Sequence, residues 1–196
     1  MVKIGIIVEG DCERIVLKSI AFYRYLEMHQ IQLVDDVINI GGKGNLKQSS
    51  KRMPSQVQAL RDLGAEHVVV LRDLDEAESL ESVDRIKAEV YQAGDVSTCL
   101  AIQELEAWFL ADSVTLSLLF NASFYCEQPQ VINKPANYLS ALRTNYTGRG
   151  ISDKKGFASA MINNGFTIER AAEHPNCPSA RYFLTKLQTI ASATFL

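Results

Sequence analysis

A chain of 196 residues with 47% hydrophobic content is long enough to bury a sizeable core and too apolar to be disordered as its main state. A net charge of −3 excludes a protein that coats nucleic acid through bulk positive charge, and no apolar run approaches the roughly 20 residues of a membrane-spanning helix. Glu9 and Gly10 stand where a signal peptide would continue its apolar core, and the four cysteines form no CxxC pair, so a cytoplasmic protein with reduced, mostly buried thiols is expected, without membrane association.

The charge is unevenly placed. After residue 120 there are eight Lys/Arg against four Asp/Glu, and before it 12 against 19. An acidic first part suits divalent cations, and a basic second part suits a polyanion.

In chain order, "VKIGIIVEG" reads as a short strand covered on both faces. "DCERIVLKSIAFYRYLEMH" follows at helical spacing, with Asp11 as the expected N-cap. "DDVINIGGKGN" gives a second strand and a Gly-rich turn, "LKQSSKRMPSQVQALRDLGA" a helix stopping at Gly64, and "EHVVVLRDLDE" a third strand. A helix over "ESLESVDRIKAEVYQAG" and a fourth strand, "VSTCLAIQ", complete the alternation. Strand and helix in turn predict an α/β fold: a parallel sheet of about four strands flanked by helices, over residues 1–112. From 113 to 196, "KPANYLSALRTNY", "DKKGFASAMINNG", "TIERAAEH" and "PSARYFLTKLQTIASATF" read as a helical C-terminal extension packed on the core.

Ligands of open parallel sheets gather at the carboxyl ends of the strands. Acidic residues fall there: Glu9 after the first strand, Asp73 and Asp75 at the end of the third, Glu104 and Glu106 just after the fourth. Residues two apart in an extended segment project to one side, so Asp73 and Asp75 can reach one point while Leu74 turns to the core. Mg²⁺ takes octahedral oxygen ligation from a few carboxylates, water and substrate phosphate. The competing explanation for each acid is helix capping or helix-dipole stabilisation.

"IIVEGDCE" and "VVLRDLDE" together resemble the Toprim domain of topoisomerases, primases and the overcoming-lysogenization-defect nucleases, in which a glutamate after the first strand and an Asp-x-Asp after a later one hold Mg²⁺ for phosphodiester chemistry. "AIQELEAWFLAD", "KPANYL", "DKKGFASAM" and "HPNCPSARYFL" are further similar to stand-alone bacterial Toprim-like proteins that accompany ATPases in phage-defence operons. The resemblance implies a Toprim-like Rossmannoid core and a Mg²⁺- or Mn²⁺-dependent nuclease acting on DNA or RNA. Glu9 would be a catalytic metal ligand or the general base for the attacking water or hydroxyl, Asp73 and Asp75 would be the catalytic ligands of the cation, and Glu104 and Glu106 could complete a second metal site. A partner ATPase is implied, and a second copy of the chain is a further candidate partner. A catalytically silent regulatory module is the alternative.

"NIGGKGNLK" presents backbone N–H groups with Lys43 nearby, as a phosphate contact or a plain turn; it does not satisfy GxxxxGK[ST]. Lys134, Arg149, Lys154 and Lys155 are candidates for nucleic-acid backbone contact or for solvated helix faces, and Trp108 reads as core rather than a stacking platform. His174 and Cys177 form an HxxC pair without a second half, favouring a packed turn over zinc, and Ser179 with Arg181 at the next helix start is an alternative anion site. A receiver domain would need an acidic pair after the first strand, and a haloacid-dehalogenase phosphatase would need its Asp-x-Asp there; neither is present.

Overall fold

The computed structural model describes residues 1–74 and 83–193. β1 (Val2–Val8) buries every residue but Lys3, as a central parallel strand requires. On one side it pairs in parallel first with β2 (Ile31–Leu33) and then with β3 (Ile38–Asn39), two short strands occupying one place in tandem. On the other side it pairs in parallel with β4 (His67–Leu74), Ile4 opposite His67 through Val8 opposite Leu71, and β5 (Val96–Ile102) lies beyond β4. The α/β fold read from the alternation is the one observed.

Between the strands run α1 (Asp11–Leu17), α2 (Ile20–Met28), a 3₁₀ turn at Lys43–Leu46, α3 (Arg52–Asp62) and α4 (Val83–Glu89). The single helix expected over 11–29 is divided, because the Ser19 side chain accepts a hydrogen bond from the Phe22 N–H and starts a new helix there. Nor is Asp11 the N-cap of the first. Gly10 takes that place, and Asp11 Oδ1 accepts instead from Asn39 Nδ2 at 2.6 Å. On α3, Met53, Val57 and Leu60 recur at helical spacing and join Ile7, Ile40, Val68 and Val70 in one buried cluster.

The remaining helices are α5 (Glu106–Ala111), α6 (Ser113–Phe120), α7 (Pro135–Thr147), α8 (Lys154–Asn163), α9 (Ile168–Glu173) and α10 (Pro178–Ala193). α5 is buried on all sides and packs on α6, α7 and α9. Its Trp108 lies 5.7 Å from Phe183, and Phe109 meets Phe166 edge-on at 4.9 Å. Trp108 is fully buried, as core.

The described chain divides into two compact units. The first comprises residues 1–72, 83–100 and 185–193, the second 73–74 and 101–184. This division differs from a boundary at 112, since α5 and the end of β5 go with the later helices and the second half of α10 with the first unit. Among the described residues no helix is long and apolar enough to cross a membrane. No disulfide joins any of the four cysteines; Cys99, Cys126 and Cys177 are buried, and burial pushes the Cys99 and Cys177 thiols up to about 12.

At Gly5 of β1, Leu60 of α3 packs directly against the strand backbone. A Cβ built there lies 2.5 Å from Leu60 Cδ1, and Leu60 is fully buried with no room to retreat. Gly5→Ala is therefore expected to destabilise the protein by about 1–3 kcal/mol. The double variant Gly5→Ala/Leu60→Ala should lose less than the sum of the two single variants in denaturant unfolding; strict additivity would refute the close approach.

Candidate functional site

In the first unit, the chain leaves β1 through Glu9. Its N–H donates to Leu71 O at 3.1 Å and its carbonyl accepts from the Gly42 N–H at 2.8 Å, which fastens the Gly-rich turn to the strand end. Gly41 and Gly42 hold φ of +79° and +103°, the left-handed region that glycine enters without strain. Asn39 Oδ1 accepts from the Gly41 N–H, and Asn45 Nδ2 donates to the Ile40 and Gly41 carbonyls, so the turn is braced by its own amides. Lys43 is exposed on this turn. The Glu9 carboxylate, mostly buried, faces Arg72, whose Nε lies 4.0 Å from Glu9 Oε2 and whose side chain is only 2% exposed. Sequence reading passed over Arg72. The available signal was a lone arginine inside the apolar run "VVVLRDL", which demands a buried anion.

In the second unit, Asp73 Oδ1 accepts from the Leu105 N–H at 2.9 Å and so caps the start of α5 from a distance. Asp75 lies outside the described residues. Glu104 is held at both oxygens: Oε2 accepts from the Ala136 N–H at 3.0 Å, at the first turn of α7, and Oε1 accepts from Lys154 Nζ at 3.0 Å. Lys154 Nζ also lies 3.4 Å from Glu106 Oε1. The structure thus joins Lys154, read as a backbone-phosphate contact, to the two glutamates read as metal ligands. Burial raises the Glu106 pKa against the opposing pull of Lys154, while the two carboxylates together hold Lys154 firmly charged despite its own partial burial.

Gln103 stands immediately before this cluster with φ +66°, a conformation costly for a side chain with a Cβ, and its buried Oε1 has no hydrogen-bond partner among the described residues. Strain and an unsatisfied acceptor thus stand together one residue before Glu104, at the end of β5.

The donor chemistry of Glu9, Asp73, Glu104 and Glu106 is that of hard oxygen ligands, which fits Mg²⁺ or Mn²⁺. Among the described residues, however, no three His, Cys, Asp or Glu side chains converge closely enough to hold a metal ion.

Of the other candidates, Arg149 and Lys155 are exposed, and Lys134 occupies the N-cap of α7 in the left-handed region. Ser179 Oγ accepts from Trp108 Nε1 at 2.8 Å and from Gln130 Nε2, and Arg181 donates to the Ala172 and His174 carbonyls at the end of α9. Both serve internal architecture. His174 Nδ1 accepts from the Asn176 N–H and Cys177 Sγ faces Gln130, consistent with a packed turn. A pair absent from the sequence reading is His67 with Ser97, whose Nε2 and Oγ are 2.8 Å apart near the amino ends of β4 and β5. Residues 30 apart on different strands leave no local pattern to find them.

A family model described as "Domain of unknown function (DUF4276)" matches residues 8–188. No curated protein and no solved structure matches the chain.

Because the folded-state pKa of Glu106 is raised above its ordinary 4.5, protonation favours the fold. That stabilisation is complete below the ordinary value and lost as pH rises through the folded one. Glu106→Gln, neutral throughout, should be more stable than wild type at about pH 8, with the gap closing toward about pH 4 in thermal melts. A variant less stable than wild type at the higher pH would mean that the Lys154 pair outweighs burial.

Proposed function

The chain belongs to the DUF4276 family, and from its own residues we propose a Mg²⁺- or Mn²⁺-dependent nuclease of the Toprim type, hydrolysing phosphodiester bonds of DNA or RNA. The observation that carries this reading is that β1, β4 and β5 each run into carboxylates, at Glu9, Asp73 and Glu104 with Glu106, where an apolar core strand has no need of them. In this proposal Glu9, Asp73 and Asp75 hold the cation, with Glu104 and Glu106 as further donors. A bound Mg²⁺ or Mn²⁺ supplies charge neutralisation at the phosphoryl oxygens and acidifies the attacking water. Arg72 orients the Glu9 carboxylate, and the exposed Lys43 and Lys155 meet the backbone phosphates of the nucleic acid, with Lys154 setting the two glutamates. Service as the effector of a phage-defence system with an ATPase partner in the cytoplasm is the context proposed for it.

A second reading has its own support. Arg72 and Lys154 already stand as cations against Glu9 and against Glu104 and Glu106, the arrangement expected of a Toprim-like fold kept as a regulatory module without turnover.

Incubation of purified protein with plasmid DNA and with total RNA, in Mg²⁺ or Mn²⁺, separates the two. Asp73→Asn and Glu9→Gln are each expected to lower metal-dependent cleavage by about 100-fold or more. Metal at about 100 times its dissociation constant should stabilise the wild type by about 2.7 kcal/mol, and less so the Asp73 variant. Metal stabilisation without cleavage of either substrate would favour the silent module. Absence of both would overturn the cation site itself.

A further inference from the structure

α2 divides cleanly into two faces. Phe22, Tyr25 and Leu26 are buried inward, while Ile20, Tyr23, Arg24 and Glu27 recur at helical spacing on the outward side. That outward side is unusually apolar for a free surface, with Ile20 72% exposed, Met28 70% and Tyr23 43%. Beside it lies β2, the outer strand on this side of the sheet. Between helix and strand runs a groove of about 520 Å³, with Ile20, Leu26, Ile31 and Leu33 among its lining and Arg24 and Glu27 also on its walls. Neither Arg24 nor Glu27 forms an ion pair with another described residue.

Opposite charges one helical turn apart, unpaired, on an apolar stripe are self-complementary under a two-fold rotation. We infer that this face pairs with a second copy of the chain, α2 running antiparallel against the copy's α2, so that Arg24 of each meets Glu27 of the other. The register that makes these two ion pairs centres the two-fold axis between residues 25 and 26, with Tyr23 and Met28 on opposite flanks of the seam. It carries the exposed Ile20 past the last turn of the copy's α2, beside the groove between that helix and β2. Apolar burial supplies the affinity, and the two charge pairs fix direction and register. The surface is small beside a standard interface of roughly 1,600 Å², so the dimer is a concentration-dependent one.

Sedimentation velocity across a concentration series tests this directly. The wild type should pass from monomer to dimer with rising concentration. Arg24→Glu alone, or Glu27→Arg alone, sets like charges opposite one another and should weaken dimerisation by about tenfold or more. The double variant Arg24→Glu/Glu27→Arg restores both pairs with their signs exchanged and should recover the wild-type constant. All these positions are exposed, so the variants should melt as the wild type does. A wild type that stays monomeric to about 100 μM, leaving the face to some other partner, would overturn the inference. So would a dimer indifferent to both reversals, or one that the double variant fails to restore.

Discussion

Every carboxylate taken out of water must be met by a cation or by hydrogen-bond donors, since an uncompensated buried charge costs several kcal/mol. This requirement organises both compact units. In the first, Glu9 is answered by the almost wholly buried Arg72. In the second, Asp73 takes the Leu105 N–H, Glu104 takes the Ala136 N–H and Lys154, and Asp112, fully buried, takes Arg170 through both Nε and a terminal nitrogen. These bonds are also the ties between segments distant in sequence. Glu104 fixes the first turn of α7, and through Lys154 the first turn of α8, against the end of β5; Asp112 starts α6 and anchors α9.

The same compensation frames the functional question. A carboxylate held by a guanidinium or an ammonium is both pre-oriented and already neutralised. Which of these consequences dominates depends on whether an incoming divalent ion outbids the side chain. At Glu104 and Glu106 the competitor is a single flexible lysine, half exposed and able to swing into solvent. At Glu9 it is a rigid, deeply buried arginine with nowhere to go. An exchange of partner is accordingly far easier at the end of β5 than at the end of β1.

Much of the fold was readable because its elements are locally self-consistent. β1, β4 and β5 are apolar runs of seven or eight residues, and the helices from α7 to α10 stand between clear Gly, Pro and polar breaks. β2 escaped notice because three residues carry no periodicity, and only pairing with Val2, Lys3 and Ile4 makes them a strand. The break at Ser19 escaped because a serine in a helical pattern looks like a tolerated surface residue until its hydroxyl turns back to Phe22. The acids of the candidate site were found by position, at strand ends. Their partners were not, since Leu105 lies 32 residues from Asp73 and Lys154 lies 50 from Glu104, distances over which no spacing rule operates.

The hydrogen bond from the Gly42 N–H to the Glu9 carbonyl ties together two loops that sequence presents as unrelated. It is short, and its donor sits in a turn that Asn39 and Asn45 already stiffen. Glu9 and Lys43 therefore ride on one rigid scaffold. The placement of the turn that carries the lysine and that of the backbone at the acid are thus set by a single peptide group.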